Sequence, residues 1–126
     1  MTRPRTVIAD DQPVIREVLR GLIEPNYEVV EAVDDGQSAI DAIERLRPEL
    51  LLLDVSMPGM GGFDVLRSVR SRFPSLLVIF VTEHTHPAYQ DEARKLGAQG
   101  FIVKRTMHFK LLDCMREVLA GHTYGL

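Results

Sequence analysis

A run of four leucines, Leu50 to Leu53, is followed at once by Asp54, and this stretch limits the possible folds more than any other. Such a run is typical of a strand buried on both faces, as in a parallel sheet covered by helices. Asp is depleted inside strands and its charge is costly to bury, so we expect Asp54 to lie where the strand reaches solvent. Pro58 and three glycines follow within the next eight residues and predict a loop. The pattern places a carboxylate at the carboxyl end of a central strand, where open α/β sheets carry functional groups.

Composition limits the partners that this chain can bind. Its 126 residues suffice for one domain. The net charge is −3, and the 15 Lys and Arg residues are scattered rather than clustered as nucleic-acid binding requires. The longest apolar run, residues 76–81, is far too short to cross a bilayer. The single cysteine, Cys114, cannot form an internal disulfide. We therefore expect a cytoplasmic domain that binds neither nucleic acid nor membranes directly.

Short apolar runs alternate with segments of helical spacing along the whole chain. The predicted strands are residues 6–9, 27–33, 50–53, 76–81 and 100–103, each followed by a predicted helix. This alternation predicts an α/β fold with a doubly wound, five-stranded parallel sheet built from right-handed crossovers. The third and fourth strands are the most apolar and the second is more polar, so we expect the order 2-1-3-4-5, as in flavodoxin-like folds.

In that order, the residues that end four of the five strands meet at one edge of the sheet. They are Asp10 with Asp11, Asp54, Thr82 and Lys104. Three carboxylates in one pocket repel and raise one another's pKa values, and one lysine offsets only part of their charge. Hard oxygen ligands of this kind favour Mg²⁺. With such a cation the pocket can accept a phosphoryl group, and Asp54 is the candidate nucleophile because carboxylates form acyl phosphates.

Each of these residues also has an ordinary structural interpretation when it is taken alone. Asp10 and Asp11 could cap the helix that follows, Thr82 could be a loop residue, and Lys104 could be a solvated charge. Their combination at four strand ends favours the functional interpretation. The four histidines fit no metal-ligand spacing, and we interpret them as surface or loop residues.

The chain contains, in order and at family-like spacing, the stretches VIADDQPV, LLLLDVSMPGMGG, FVT and GFIVK. They resemble the receiver domain of two-component response regulators, and the resemblance covers essentially the whole chain. It implies that Asp10 and Asp11 bind Mg²⁺, together with Asp54 and the backbone carbonyl of Ser56. It also implies that Asp54 is the phosphoacceptor and takes its phosphoryl group from a partner histidine kinase.

The same resemblance implies roles for the residues around the phosphoacceptor. Thr82 and Lys104 would contact the phosphoryl group, and Phe101 would be the aromatic residue whose rotamer accompanies activation. Ser56 and Glu83 would tune the rates. The chain would act as a signalling switch that catalyses only its own single-turnover phosphorylation and dephosphorylation, rather than as an enzyme in the usual sense.

The loop after Asp54 and the ending VLAGHTY look like those of the NarL/FixJ-type subgroup, in which a helix-turn-helix output domain usually follows the receiver. We therefore expect residues 1–121 to form the receiver domain and residues 122–126 to begin a linker to an output domain. That linker would carry two exposed apolar residues, Tyr124 and Leu126. The resemblance further implies transcriptional regulation through that DNA-binding domain, and a possible homodimer.

Three positions depart from the usual pattern of the family. Arg105 follows the lysine where many relatives have proline, so the geometry of that loop is open. Glu83 is larger and acidic where many relatives have a small residue, which affects rates. Phe101 lacks the hydroxyl group of a tyrosine.

Three other interpretations remain open from the sequence. A flavodoxin-like cofactor carrier needs a phosphate cradle after the first strand, where this chain has acidic residues instead. A phosphatase of the haloacid dehalogenase type needs a D-x-D sequence there, and the chain has Asp10-Asp11-Gln12. The third alternative is a receiver-like interaction module that works without phosphorylation.

Overall fold

The computed structural model describes residues 2–126, in which five parallel strands form one sheet. The strands are β1 (Arg5–Ala9), β2 (Glu28–Val33), β3 (Leu50–Leu53), β4 (Leu77–Thr82) and β5 (Gly100–Val103). The helices are α1 (Pro13–Ile23), α2 (Gly36–Leu46), α3 (Gly62–Val69), α4 (Pro87–Lys95) and α5 (Met107–Leu119), with a 3₁₀ turn at Lys104–Thr106. The strand order is β2-β1-β3-β4-β5, which confirms the predicted fold class and order.

The distribution of apolar residues explains this order. All four residues of β3 are buried, as a central strand covered on both faces requires. At the sheet edge, β2 has one exposed and five half-buried residues. Alternate side chains of β3 point to opposite faces. Leu51 and Leu53 pack in the core beneath α2 and α3, whereas Leu50 and Leu52 pack in the core beneath α1 and α5.

Two of the last five residues, Tyr124 and Leu126, pack against the folded domain. Tyr124 forms a parallel bridge with Gly100 of β5, and Leu126 packs against the core on the α2–α3 face. Both side chains are half-buried, so the prediction that they are exposed was wrong. The boundary between the receiver domain and a linker at residue 122 stays a prediction. In the described residues 2–126, no helix is both long and apolar enough to span a membrane.

Candidate functional site

Parallel strands end at the same edge of the sheet, and this brings the predicted site residues together. Asp10 follows β1, Asp54 follows β3, Thr82 ends β4 and Lys104 follows β5. A cleft of about 180 Å³ opens at this edge. Its lining residues are Asp11, Gln12, Asp54, Ser56, Thr82, Glu83, His84 and Lys104. Asp10 lies below the cleft and is 1% exposed.

Lys104 is the positive centre of the cleft. Its Nζ atom lies 2.8 Å from Asp10 Oδ2 and donates a hydrogen bond to Asp54 Oδ2 at 3.1 Å. A third contact is a hydrogen bond to the side-chain oxygen of Gln12 at 3.0 Å. Burial by itself would lower the pKa of Lys104, but its contacts with the Asp10 and Asp54 carboxylates outweigh burial and raise it. Lys104 is therefore held as a buried cation between two carboxylates.

The three predicted carboxylates form one cluster. One oxygen from each of Asp10, Asp11 and Asp54 lies within 4.8 Å of the others. The pKa of Asp54 is raised, chiefly because the group is buried and secondly because it lies beside the Asp10 charge, while Lys104 acts in the opposite direction. The predicted repulsion contributes to this shift through Asp10, but burial, which the prediction did not include, is the larger cause.

The donor set of this cluster fits a hard divalent cation. Asp10 Oδ1 accepts a hydrogen bond from the Gln12 amide at 2.8 Å. Within the described chain, Asp10 Oδ2 is buried and forms an ion pair with the Lys104 ammonium 2.8 Å away. One lysine offsets only part of the charge of three clustered carboxylates. Such a set of carboxylate oxygens suits Mg²⁺, which binds few protein oxygens and retains water.

The glycines after Asp54 are required by close packing. A Cβ atom on Gly62, the first residue of α3, would lie 2.1 Å from the Asp54 carbonyl oxygen. One on Gly61 would lie 2.7 Å from the Val55 carbonyl oxygen. The Gly62 amide also donates a hydrogen bond to Val55 at 2.8 Å, which folds the loop back on the strand end. Only glycine lets α3 begin this close to the phosphoacceptor candidate.

Thr82, Glu83 and Phe101 occupy different environments. Thr82 is fully buried at the floor of the cleft, and its hydroxyl oxygen accepts a hydrogen bond from the His84 amide at 3.2 Å. Glu83 is exposed at the cleft wall. Phe101 does not line the cleft. It is 4% exposed, and its ring centroid lies 6.5 Å from that of Phe80.

Two residues of the cleft were not identified from the sequence. His84 lies in a loop, as predicted, but it also lines the cleft: its Nε2 atom lies 2.7 Å from the Ser56 hydroxyl oxygen, and its ring stacks on Tyr89 at 4.3 Å. Gln12 is the N-cap residue of α1, but its side chain makes no cap bond and contacts Lys104 instead. The sequence carries no signal for the contact of His84 with Ser56, because it is set by the paths of the loops that follow β3 and β4.

The fold and the cleft together define a class of protein: an open α/β domain with an acidic cleft, crossed by one lysine, at the carboxyl edge of its sheet. A family model described as the response regulator receiver domain matches residues 6–116. The chain belongs to this family, which confirms the resemblance drawn from the sequence.

Curated relatives support the same family and its subgroup. Transcriptional regulatory protein DegU of Brevibacillus brevis is 30% identical over 120 residues, which cover 94% of this chain and 51% of DegU. Transcriptional activator protein ExaE of Pseudomonas putida is 33% identical over 126 residues, which cover 94% of this chain and 56% of ExaE. The chain thus spans about half the length of these relatives.

A solved structure agrees with the fold over nearly the full chain. The crystal structure of a LuxR-family two-component response regulator from Aurantimonas sp. SI85-9A1 matches with a TM-score of 0.92 and 29% identity. The match covers 98% of this chain and 89% of that one. Its family name confirms the expected subgroup of response regulators.

Proposed function

We propose that this chain is the phosphorylation-activated switch of a two-component system and that Asp54 accepts the phosphoryl group from a histidine kinase. The observation that carries the proposal is the position of Asp54. Its carboxylate borders a cleft at the sheet edge and lies 3.1 Å from the Lys104 ammonium. One of its oxygens lies within 4.8 Å of oxygens of Asp10 and Asp11. A phosphoryl group that enters such a cleft meets a nucleophile and a cation at the same time.

The reaction needs one bond to form and one to break. A carboxylate oxygen of Asp54 attacks phosphorus, and the bond from phosphorus to the donor's imidazole nitrogen breaks, with the electron pair staying on that nitrogen. Since burial raises the pKa of Asp54, the Lys104 cation matters for keeping the nucleophile ionised. Lys104 can then turn from Asp54 towards the oxygens of the transferred group.

The negative charges of the three clustered carboxylates also favour the binding of a metal ion. We infer that Asp10, Asp11, Asp54 and the backbone carbonyl of Ser56 hold Mg²⁺, which supplies positive charge for the carboxylates and the phosphoryl oxygens when it is bound. The clustering of three carboxylates around a single lysine supports this assignment.

The remaining residues act on the product. The Thr82 oxygen already accepts a hydrogen bond from the His84 amide, so its own hydroxyl proton can be donated to a phosphoryl oxygen. We assign Phe101 as the switch aromatic that follows Thr82 when it moves. Ser56 and Glu83 stand at the cleft mouth, where they tune access of the donor and of water.

The signal is relayed, on this proposal, to a DNA-binding output domain that regulates transcription in the cytoplasm. The names of the relatives as transcriptional regulators support this, and so does their greater length. The kinase and the output domain would be the direct partners, with a homodimer as a further possible assembly. The receiver itself would turn over once for each signal and would not contact DNA.

The test is intact mass after incubation with Mg²⁺ and acetyl phosphate. We expect one added phosphoryl group in the wild-type protein and none in Asp54→Asn. Asp41→Asn is the matched control because Asp41 is exposed on α2 and contacts only Gln37, so it should be modified like wild type. A folded wild-type protein that gains no mass would favour a phosphorylation-independent interaction module.

The metal assignment has its own test. Asp11→Ala should weaken Mg²⁺ binding by at least about tenfold, because a charged ligand of the ion is lost. Asp41→Ala removes the same charge from the surface of α2 and should leave binding nearly unchanged. Titration with Mg²⁺ by calorimetry measures both, and equal affinities would refute the assignment.

A further inference from the structure

The chain after α5 returns to the outer edge of β5, where Tyr124 forms a parallel bridge with Gly100, and we name residues 122–126 the C-terminal strap. The Tyr124 amide donates a hydrogen bond to the Gln99 carbonyl at 2.9 Å, and the Phe101 amide donates one to the Tyr124 carbonyl at 2.9 Å. Together these bonds make a parallel pairing along the outer edge of β5. The strand that leads to Lys104 is thus held on both sides, by β4 and by the strap.

The strap is also fixed to α4 and to the core. The carbonyl oxygen of Gly125 accepts a hydrogen bond from Gln90 of α4 at 3.0 Å. Gly125 has φ +74°, and a Cβ atom there would lie 2.0 Å from the Phe101 carbonyl oxygen. Leu126 packs against the same apolar cluster that contains Phe101. Only glycine at position 125 allows this approach.

These contacts connect the strap to the phosphoryl cleft through β5. The Phe101 amide donates a hydrogen bond to the strap, and Lys104 lies three residues further along the chain. Val103 pairs with Thr82 across the sheet, so both proposed phosphoryl contacts lie at the end of the strand pair that the strap borders. A shift of β4 and β5 must therefore also move the outer edge of β5, to which the strap is bound.

We propose that the strap is a positioning element for the switch: it holds β5 and the buried Phe101 ring in place, and strap docking and phosphorylation of Asp54 stabilise each other. This inference rests on the proposed function. A phosphoryl group on Asp54 would draw Thr82 and Lys104 towards it and fix the ends of β4 and β5, which offers the strap a better-ordered edge. Thermodynamic linkage makes the effect reciprocal. In a chain that continues past Leu126, strap docking would also set the direction in which the next segment leaves.

Reciprocity gives the first test. Amide hydrogen exchange is measured at Phe101 and Tyr124 with and without acetyl phosphate and Mg²⁺, while intact mass records the modification of Asp54. We expect both amides to exchange roughly tenfold more slowly in the phosphorylated protein, which is the effect of about one net hydrogen bond. Asp54→Asn should show no such change. A role of the strap in stability alone would not make its protection depend on Asp54.

The second test displaces the strap from β5 by adding one methyl group at Gly125. Gly125→Ala should undock it and lower the ratio of phosphorylated to unphosphorylated protein reached with acetyl phosphate by about threefold or more, within the range seen for connected sites. Gly121→Ala is the matched control: Gly121 also has a positive φ, of +94°, but a Cβ atom there meets nothing within 4 Å. If Gly125→Ala does not fold by circular dichroism, Gln90→Ala replaces it, with Gln37→Ala on α2 as its control.

The outcomes separate the two proposals. A wild-type protein that gains no phosphoryl mass overturns the proposed function and the strap proposal with it. Phosphorylation at Asp54 with unchanged exchange at Phe101 and Tyr124 overturns the strap proposal alone. Equal phosphorylated fractions in Gly125→Ala and Gly121→Ala do the same, and so does exchange at Phe101 that is equal in these two variants, since the added methyl group must displace the strap.

Discussion

Replacing Lys104 with methionine tests the charge balance of the cleft most severely. Lys104 is 8% exposed and contacts two carboxylates, Asp10 and Asp54, which are 1% and 5% exposed. Solvent screens these contacts little, so the small values typical of surface ion pairs do not apply. Removing one partner of a buried pair typically costs about 3–5 kcal/mol. The cleft gives the Asp54 side some access to water, so we expect the lower end, about 3 kcal/mol.

The assay is thermal and urea unfolding in EDTA. A loss of about 3 kcal/mol in the free energy of unfolding lowers the Tm of a chain this size by roughly 12 °C. The matched control is Lys95→Met, because Lys95 is exposed in the last turn of α4 and its loss should change stability by no more than about 0.5 kcal/mol. Adding Mg²⁺ should then stabilise Lys104→Met more than wild type, since the ion restores positive charge to the same carboxylates.

Two results would refute this reasoning. A loss below about 1 kcal/mol in EDTA, similar to the loss in Lys95→Met, would mean that Lys104 is not the counter-charge of the cluster. An equal gain from Mg²⁺ in wild type and Lys104→Met would mean that the ion and the lysine act at different places.

Three further predictions follow from the same geometry. Burial, and then the Asp10 charge, raise the pKa of Asp54 above 3.8, so the folded protein retains this proton to higher pH than the unfolded chain does. The free energy of unfolding in EDTA should therefore fall as pH rises from 3.8 through the raised pKa. Urea unfolding at several pH values should show a shallower fall in Asp54→Asn than in wild type. Identical dependence on pH in the two proteins would contradict this prediction. Gly62→Ala should lower the free energy of unfolding, measured in urea, by about 1–3 kcal/mol, because its Cβ atom clashes with the Asp54 carbonyl oxygen. Gly21→Ala is the control: it lies in open space on α1 and should raise the free energy of unfolding by up to about 1 kcal/mol. Equal effects of the two substitutions would contradict the packing argument. Glu83→Ala should raise the initial rate of phosphorylation by anionic acetyl phosphate roughly two- to fivefold, the effect of one exposed like charge, and an unchanged rate would mean that Glu83 points away from the donor's path.

The sheet order could be predicted because each strand carries its own signal of burial. Four leucines at 50–53 indicate a strand covered on both faces, and the more polar β2 indicates an edge. Once the order is known, parallel strands place Asp54, Thr82 and Lys104 at one edge without further information. The position of these residues at one edge was therefore accessible from the sequence, and their roles stay a prediction.

The rest depends on contacts that local patterns do not encode. The approach of His84 to Ser56 is set by the paths of two loops and by stacking on Tyr89, not by the period of a strand. Tyr124 was predicted to be exposed because it lies in the segment expected to begin a linker. Its actual position results from pairing with the open edge of β5, a contact that becomes visible only when the sheet is assembled.

The central claim, that Asp54 is the phosphoacceptor, is tested most directly by trapping the acyl phosphate. The protein is phosphorylated with acetyl phosphate and Mg²⁺ and reduced with borohydride, which converts an acyl phosphate into an alcohol, and the modified peptide is then sequenced by mass spectrometry. We expect homoserine at position 54 and at no other acidic residue, with the signal lost when Mg²⁺ is chelated. Homoserine at another aspartate, or unmodified Asp54 in a protein that has gained a phosphoryl group, would contradict the account.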